Sequence, residues 1–175
     1  IASLGDRNGT FEVIDSVMNI SSEKQNEIAI LLVGKANVLD SEKLKLRVKE
    51  NKNKSRVTII WDDNFVSNNM MKSLFNQCYA VLIPYKITVG SSGIIGHAVS
   101  SCKPLIATNE GLIGELIKMY DLGLLIDYVT PELIARQILN CLDSKKKWNK
   151  SSLEFLKERD VNTFAKKIIS SNVND

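Results

Sequence analysis

The sequence predicts an α/β domain: a Rossmann-like three-layer sandwich of about six mostly parallel strands with helices on both faces, followed by C-terminal helices. Two observations carry this. Short apolar runs alternate with segments of helical periodicity from one end of the chain to the other. The runs are also unbroken, as in Ile28–Val33, and strands read that way when both faces are buried in a parallel sheet. At 175 residues the chain is long enough for one such core. No repeat or low-complexity linker divides it, so residues 1–175 are read as one domain, with 144–175 as terminal helices.

The elements follow in order. Ile1 to Leu4 reads as the end of a strand that starts earlier, and the first residue is Ile rather than Met, so a fragment of a longer protein is expected. Phe11, Ile14, Val17 and Met18 recur at helical spacing. Ile28–Val33, closed by Gly34, is a buried strand. Residues 41–51 read as a helix, although Leu44, Leu46 and Val48 also alternate. Val57–Trp61 is a β-branched strand. Ser67 caps a helix with Met70, Met71, Leu74, Phe75 and Cys78 on one side. Tyr79–Ile83 is a strand stopped by Pro84. A helix starting at Ser91 or Ser92 turns Ile94, Ile95, Ala98, Val99 and Cys102 inward. Pro104–Ala107 and Leu124–Ile126 are strands separated by a helix over 111–120. Thr130-Pro131-Glu132 combines a capping hydroxyl, a proline at the first helical position and an acid in the first turn. Two amphipathic helices, near 152–158 and 160–170, close the chain, with Leu153, Leu156, Phe164 and Ile168 expected to be packed.

Composition removes several function classes. The net charge of +3 comes from interspersed charges of both signs, without the basic stripe and interleaved aromatics of a nucleic-acid surface. Lys145, Lys146 and Lys147 are read as a solvated loop, with weak contact to a membrane surface as the minority reading. Cys78, Cys102 and Cys141 are an odd number with no CxxC spacing, which argues against disulfides and zinc and for small buried thiols. The sequence shows no signal-peptide pattern or transmembrane run, so a cytoplasmic location, with membrane association as the alternative, is expected.

Ligands of parallel α/β sheets bind beyond the carboxyl ends of the strands, so the loops there are the places to search. The most informative is Val89-Gly90-Ser91-Ser92-Gly93-Ile94-Ile95-Gly96-His97. Small and hydroxyl residues enter a helix whose first N–H groups and dipole suit a phosphate. Gly93, Gly96 and His97 fall off the inward stripe, where either a ligand approaches closely or the glycines serve tight packing; spacing leaves both open. In Gly5-Asp6-Arg7-Asn8-Gly9, Arg7 is either a planar fork of donors for a diphosphate or a surface arginine in a turn. His97 is the sole histidine, and Asp62-Asp63 lacks a third ligand, so no metal is expected. There is neither a GxGxxG after the first strand nor a GxxxxGK[ST], which disfavours dinucleotide dehydrogenases and P-loop enzymes.

The stretch from Tyr79-Ala-Val-Leu-Ile-Pro through Lys103-Pro-Leu-Ile-Ala-Thr108 and Glu110-Gly111 to Glu115 resembles the C-terminal, donor-binding domain of GT-B glycosyltransferases of the retaining group 1 family. Val33-Gly34, the Gly5/Arg7/Gly9 loop and Thr130–Leu142 look like further family elements. The resemblance implies a hexosyltransferase that binds a nucleotide-diphosphate sugar without cofactor or metal. A missing N-terminal acceptor domain would complete it, and the isolated fragment would be inactive for transfer. The implied setting is bacterial polysaccharide biosynthesis. Gly5, Arg7, Asn8, Ser91, Ser92, Gly93 and Ile94 would hold the diphosphate. Asp62, Asn64, Phe65 and His97 would meet base and ribose, and Val89 and Gly90 would lie near the donor sugar. Two family glutamates align with Val89 and His97, and the family's first-loop lysine aligns with Asn8, so catalytic residues stay unassigned. The alternatives are a non-catalytic nucleotide-sugar-binding or interaction module, or another Rossmann-like sugar-nucleotide enzyme.

Overall fold

The computed structural model describes residues 3–64, 66–90, 92–144 and 148–158. Among the described residues, five strands, all paired in parallel, form two sheets. β1 (Ala29–Val33) pairs with β2 (Thr58–Asp62) from Ala29↔Thr58 to Val33↔Asp62. β3 (Val81–Ile83), β4 (Leu105–Thr108) and β5 (Gly123–Ile126) form the second sheet in that order. The expectation of about six strands in one sheet is therefore corrected. The strand read into the first residues is represented, among the described residues, by a single parallel bridge, Leu4↔Ala36.

Helices alternate with the strands: α1 (Thr10–Ser16), α2 (Val38–Lys54), α3 (Asn68–Gln77), α4 (Gly93–Ser100), α5 (Gly111–Tyr120), α6 (Pro131–Ser144) and α7 (Lys150–Glu158). Their starts follow capping chemistry. The Ser67 side chain accepts from the Met70 amide and Thr130 Oγ1 from the Leu133 amide, each satisfying an orphan N–H of the first turn. Asn37 does the same for Asp40 at 2.9 Å, so α2 begins earlier than its sparse apolar pattern suggests.

Two apolar layers flank the strands. One gathers Val13, Ile14 and Val17 near α1, Leu44 of α2 and Ile134 and Ile138 of α6 over Ile30, Leu32, Ile59 and Ile106. The other gathers Phe75, Ile95, Val99, Ile113, Ile117 and Phe155 over Val81, Ile83, Leu105 and Ala107. Adjacent residues of β4 thus enter opposite layers, as a strand's period of two requires, and all four are buried.

Several burial expectations change. Cys141 is buried and Cys78 partly so, but Cys102 is exposed. It lies beyond the end of α4 with φ at +52°, which turns the chain off the helical stripe that spacing had placed it on. Leu153 is 48% exposed rather than packed. α7 buries Ser152 and Phe155 instead: the Ser152 hydroxyl bonds the carbonyls of Tyr120 and Asp121, and Phe155 meets the Tyr120 ring edge-on. The helix expected over 160–170, with Phe164 and Ile168, and the cluster Lys145–Lys147 lie outside the described residues.

Candidate functional site

Because the strands are parallel, their carboxyl ends share one edge, and the loops leaving that edge meet. The Gly5–Gly9 turn is stitched to the segment after β3. The Lys86 amide donates to the Arg7 carbonyl at 3.0 Å. Lys86 Nζ reaches Asp6 Oδ1 and Glu12 Oε1, both at 2.7 Å. Gly9 has φ +66°, and a Cβ there would strike the Pro84 carbonyl, so the close approach of the two loops requires glycine. The Lys86 hydrogen bond holds the Asp6 carboxyl below its ordinary pKa. Burial alone would lower the Lys86 pKa, but the hydrogen bonds from its ammonium to Asp6 and Glu12, with their negative charge, outweigh it and raise the value.

Between these loops lies a cavity of about 120 Å³ lined by Arg7, Asn8, Tyr85, Ile87, Val89, Gly90, Ser92 and Ile113. The two nearby cations differ. Lys86 is committed to two acids, whereas Arg7 is exposed at the cavity and forms no ion pair among the described residues. The Asn8 side-chain amide donates to the Ser3 carbonyl, which fixes the turn. Ser92 is the N-cap of α4, its hydroxyl accepting from the Ile94 amide at 3.3 Å and lying 3.4 Å from Tyr85 Oη. A Cβ built on Gly90, Gly93 or Gly96 meets nothing within 4 Å. A side chain at any of these three positions would find room among the described residues.

The structure thus brings Arg7, Asn8, Val89, Gly90 and Ser92 to one cavity, with Gly5, Gly93 and Ile94 beside them in the chain. It does not bring Asp62, Asn64 or His97 there. Asp62 Oδ1 accepts from both the backbone and the side-chain nitrogen of Asn64, a closed turn at the end of β2. The His97 ring stacks on Phe75 of α3 with centroids 5.6 Å apart. Phe65 and Ser91 lie outside the described residues. Sequence reasoning missed Tyr85, Ile87, Ile113 and the role of Lys86. Lys86 carried no local signal, since its two acids lie about 80 residues earlier. Among the described residues, no group of three His, Cys, Asp or Glu could hold a metal, and no helix is long and apolar enough to cross a membrane.

The match to known families is decisive at this point. Residues 1–154 match the model of "Glycosyl transferases group 1". The chain belongs to the group 1 glycosyl transferases. No curated protein matches it. Solved structures share the fold of this group 1 domain. Anabaena Alr3699/HepE, solved in complex with UDP, superposes with a TM-score of 0.80 at 19% identity, covering 100% of this chain and 48% of that one. The C-terminal domain of the group 1 family protein LpcC from Francisella tularensis gives 0.75 at 19% identity, covering 91% and 83%. WaaG, a glycosyltransferase involved in lipopolysaccharide biosynthesis, gives 0.73 at 14% identity, covering 96% and 44%. The group 1 domain described here therefore spans about half the length of HepE and WaaG.

Proposed function

We propose that this group 1 domain binds the donor of a glycosyl transfer, a nucleotide-diphosphate sugar, at the Arg7–Ser92 cavity. One observation carries the reading: a cation without an ion-pair partner among the described residues, the capping serine of a helix N-terminus and an open glycine loop share one small cavity at the carboxyl edge of parallel strands. Arg7 would supply two parallel donors to the diphosphate, and the first amides of α4 with the helix dipole would meet the remaining oxygens. The same groups would stabilise the phosphate as it leaves, which needs no metal. HepE was solved with UDP and with UDP-glucose, and that supports a nucleoside diphosphate as the ligand class. Transfer itself, to a hydroxyl acceptor in polysaccharide assembly, would take place in a longer protein with an acceptor domain N-terminal to this one.

The test is a thermal-shift screen against UDP, GDP, ADP, CMP and their sugars. The expected result is a rise in melting temperature with one nucleoside diphosphate that is lost in both Arg7→Ala and Ser92→Ala. A shift that survives both substitutions contradicts the site.

A second reading, a non-catalytic nucleotide-sugar-binding module, is favoured by two positions. Val89 carries no acid, and His97 stacks on Phe75 rather than lining the cavity. Donor hydrolysis by the complete protein separates the two, since a binding module leaves the donor intact.

A further inference from the structure

Two acids and two cations crowd the Gly5–Gly9 turn, and their pairing is uneven. Asp6 Oδ1 and Glu12 Oε1 both contact one ammonium, Lys86 Nζ, at 2.7 Å each. Arg7 stands beside Asp6 in the chain, yet it forms no ion pair among the described residues and lines the loop cavity instead. We propose, on the basis of the donor reading above, that Lys86 is a positioning residue for donor binding: by holding both carboxylates it keeps the Arg7 guanidinium free for the diphosphate.

Arg7 is the natural competitor for these acids. A guanidinium pairs with a carboxylate through the same fork of N–H donors that it offers to a phosphate. Glu12 has little other support. Its side chain is 19% exposed, and its Oε2 is buried with no hydrogen-bond partner among the described residues. Taking the ammonium away would leave a poorly solvated carboxylate, and such a charge draws in whatever cation can reach it. Asp6 is the more exposed acid and is next to Arg7 in sequence. Beyond the Lys86 hydrogen bond, the charges that lower the Asp6 pKa are those of Lys86, Lys43 and Arg47, and Arg7 is not among them. Arg47 is itself paired with Asp15 and lies over the Phe11 ring.

The place of the turn does not depend on this ion pair alone. The Lys86 amide donates to the Arg7 carbonyl at 3.0 Å, and Gly9 fits closely against the Pro84 carbonyl. The Asn8 side chain donates to the Ser3 carbonyl. All three contacts survive Lys86→Met. The two roles of Lys86 therefore separate. Removing the lysine alone loses the tether and releases the acids to Arg7. Removing the acids with it loses the tether but leaves Arg7 free.

The test is calorimetric titration of the complete protein with UDP, GDP and ADP, the tightest binder being carried through the variants. Lys86→Met is expected to weaken binding about tenfold or more, the scale of a lost charge-assisted contact. Adding Arg7→Ala to Lys86→Met should then cost little more, because the guanidinium is already withdrawn. The triple variant Lys86→Met/Asp6→Asn/Glu12→Gln should return to within about threefold of the native affinity, and Arg7→Ala should regain its full effect there. Native affinity in Lys86→Met overturns the proposal. So does a triple variant as weak as Lys86→Met, which would make the lysine a structural tether only. An undiminished Arg7→Ala effect in the Lys86→Met background overturns it too, since Arg7 would still be free. If Arg7→Ala is silent in the native background, the donor site itself fails and the role of Lys86 falls with it.

Discussion

Arg7 and Lys86 show how neighbouring cations divide their work. Lys86 is spent on structure: its two acids and its amide bond to Arg7 hold the first turn against the end of β3. Arg7 is left facing the cavity. The tether has a pH window whose limits follow from its shifts. Asp6 has its folded pKa lowered from 3.8, so its contribution is complete above that value and is lost as the pH falls through the folded one. Lys86 has its folded pKa raised from 10.5, so its contribution is complete below that value and is lost as the pH rises through the folded one. The gap in melting temperature between the native protein and Lys86→Met should therefore be level between these limits and close beyond each. Asp6 is well exposed, so its share of the gap is small. A gap that keeps widening below pH 3.8 contradicts the tether. That Arg7, Gly90 and Ser92 share one cavity was legible because loop-to-helix junctions after parallel strands gather at one edge. The stacking of the His97 ring on Phe75 was not legible, because it depends on how α3 packs against α4.

At the scale of elements, local chemistry and burial agree where both are strong. The Ser67 and Thr130 caps mark their helices in sequence and in structure. β4 is an apolar run and is buried on both faces. Ile106 on that strand is 1% exposed, and its truncation to Ala should cost about 2–5 kcal/mol, read as the loss in unfolding free energy by denaturant titration. A cost below about 1 kcal/mol would mean that the two layers do not close on β4. Local chemistry fails where pairing is remote. An apolar segment becomes a strand only when an edge is available to it, and Leu4 meets that edge through one bridge. Cys102 was misplaced for a related reason: helical spacing continues on paper after α4 has ended, and the left-handed turn at residue 102 carries no signature such as glycine.

At the scale of the whole molecule, the alternation of strands and helices made the parallel α/β class legible before any comparison, because both-face burial leaves its mark on composition. The division into two sheets was not legible, since strand pairing joins segments remote in sequence. Function follows the same division. The family is established over residues 1–154, and the fold is shared with parts of longer proteins. The proposed donor site is narrower: one cavity at the carboxyl edge would take the diphosphate. Amide chemical-shift mapping during titration with the nucleoside diphosphate that gives a thermal shift tests it most directly. The largest changes are expected at Arg7, Asn8, Gly90, Ser92 and Gly93, with those at Asp62, Asn64 and His97 smaller. Changes centred instead on Leu31 and Leu82, which line a separate cavity of about 430 Å³ between β1 and β3, would contradict it.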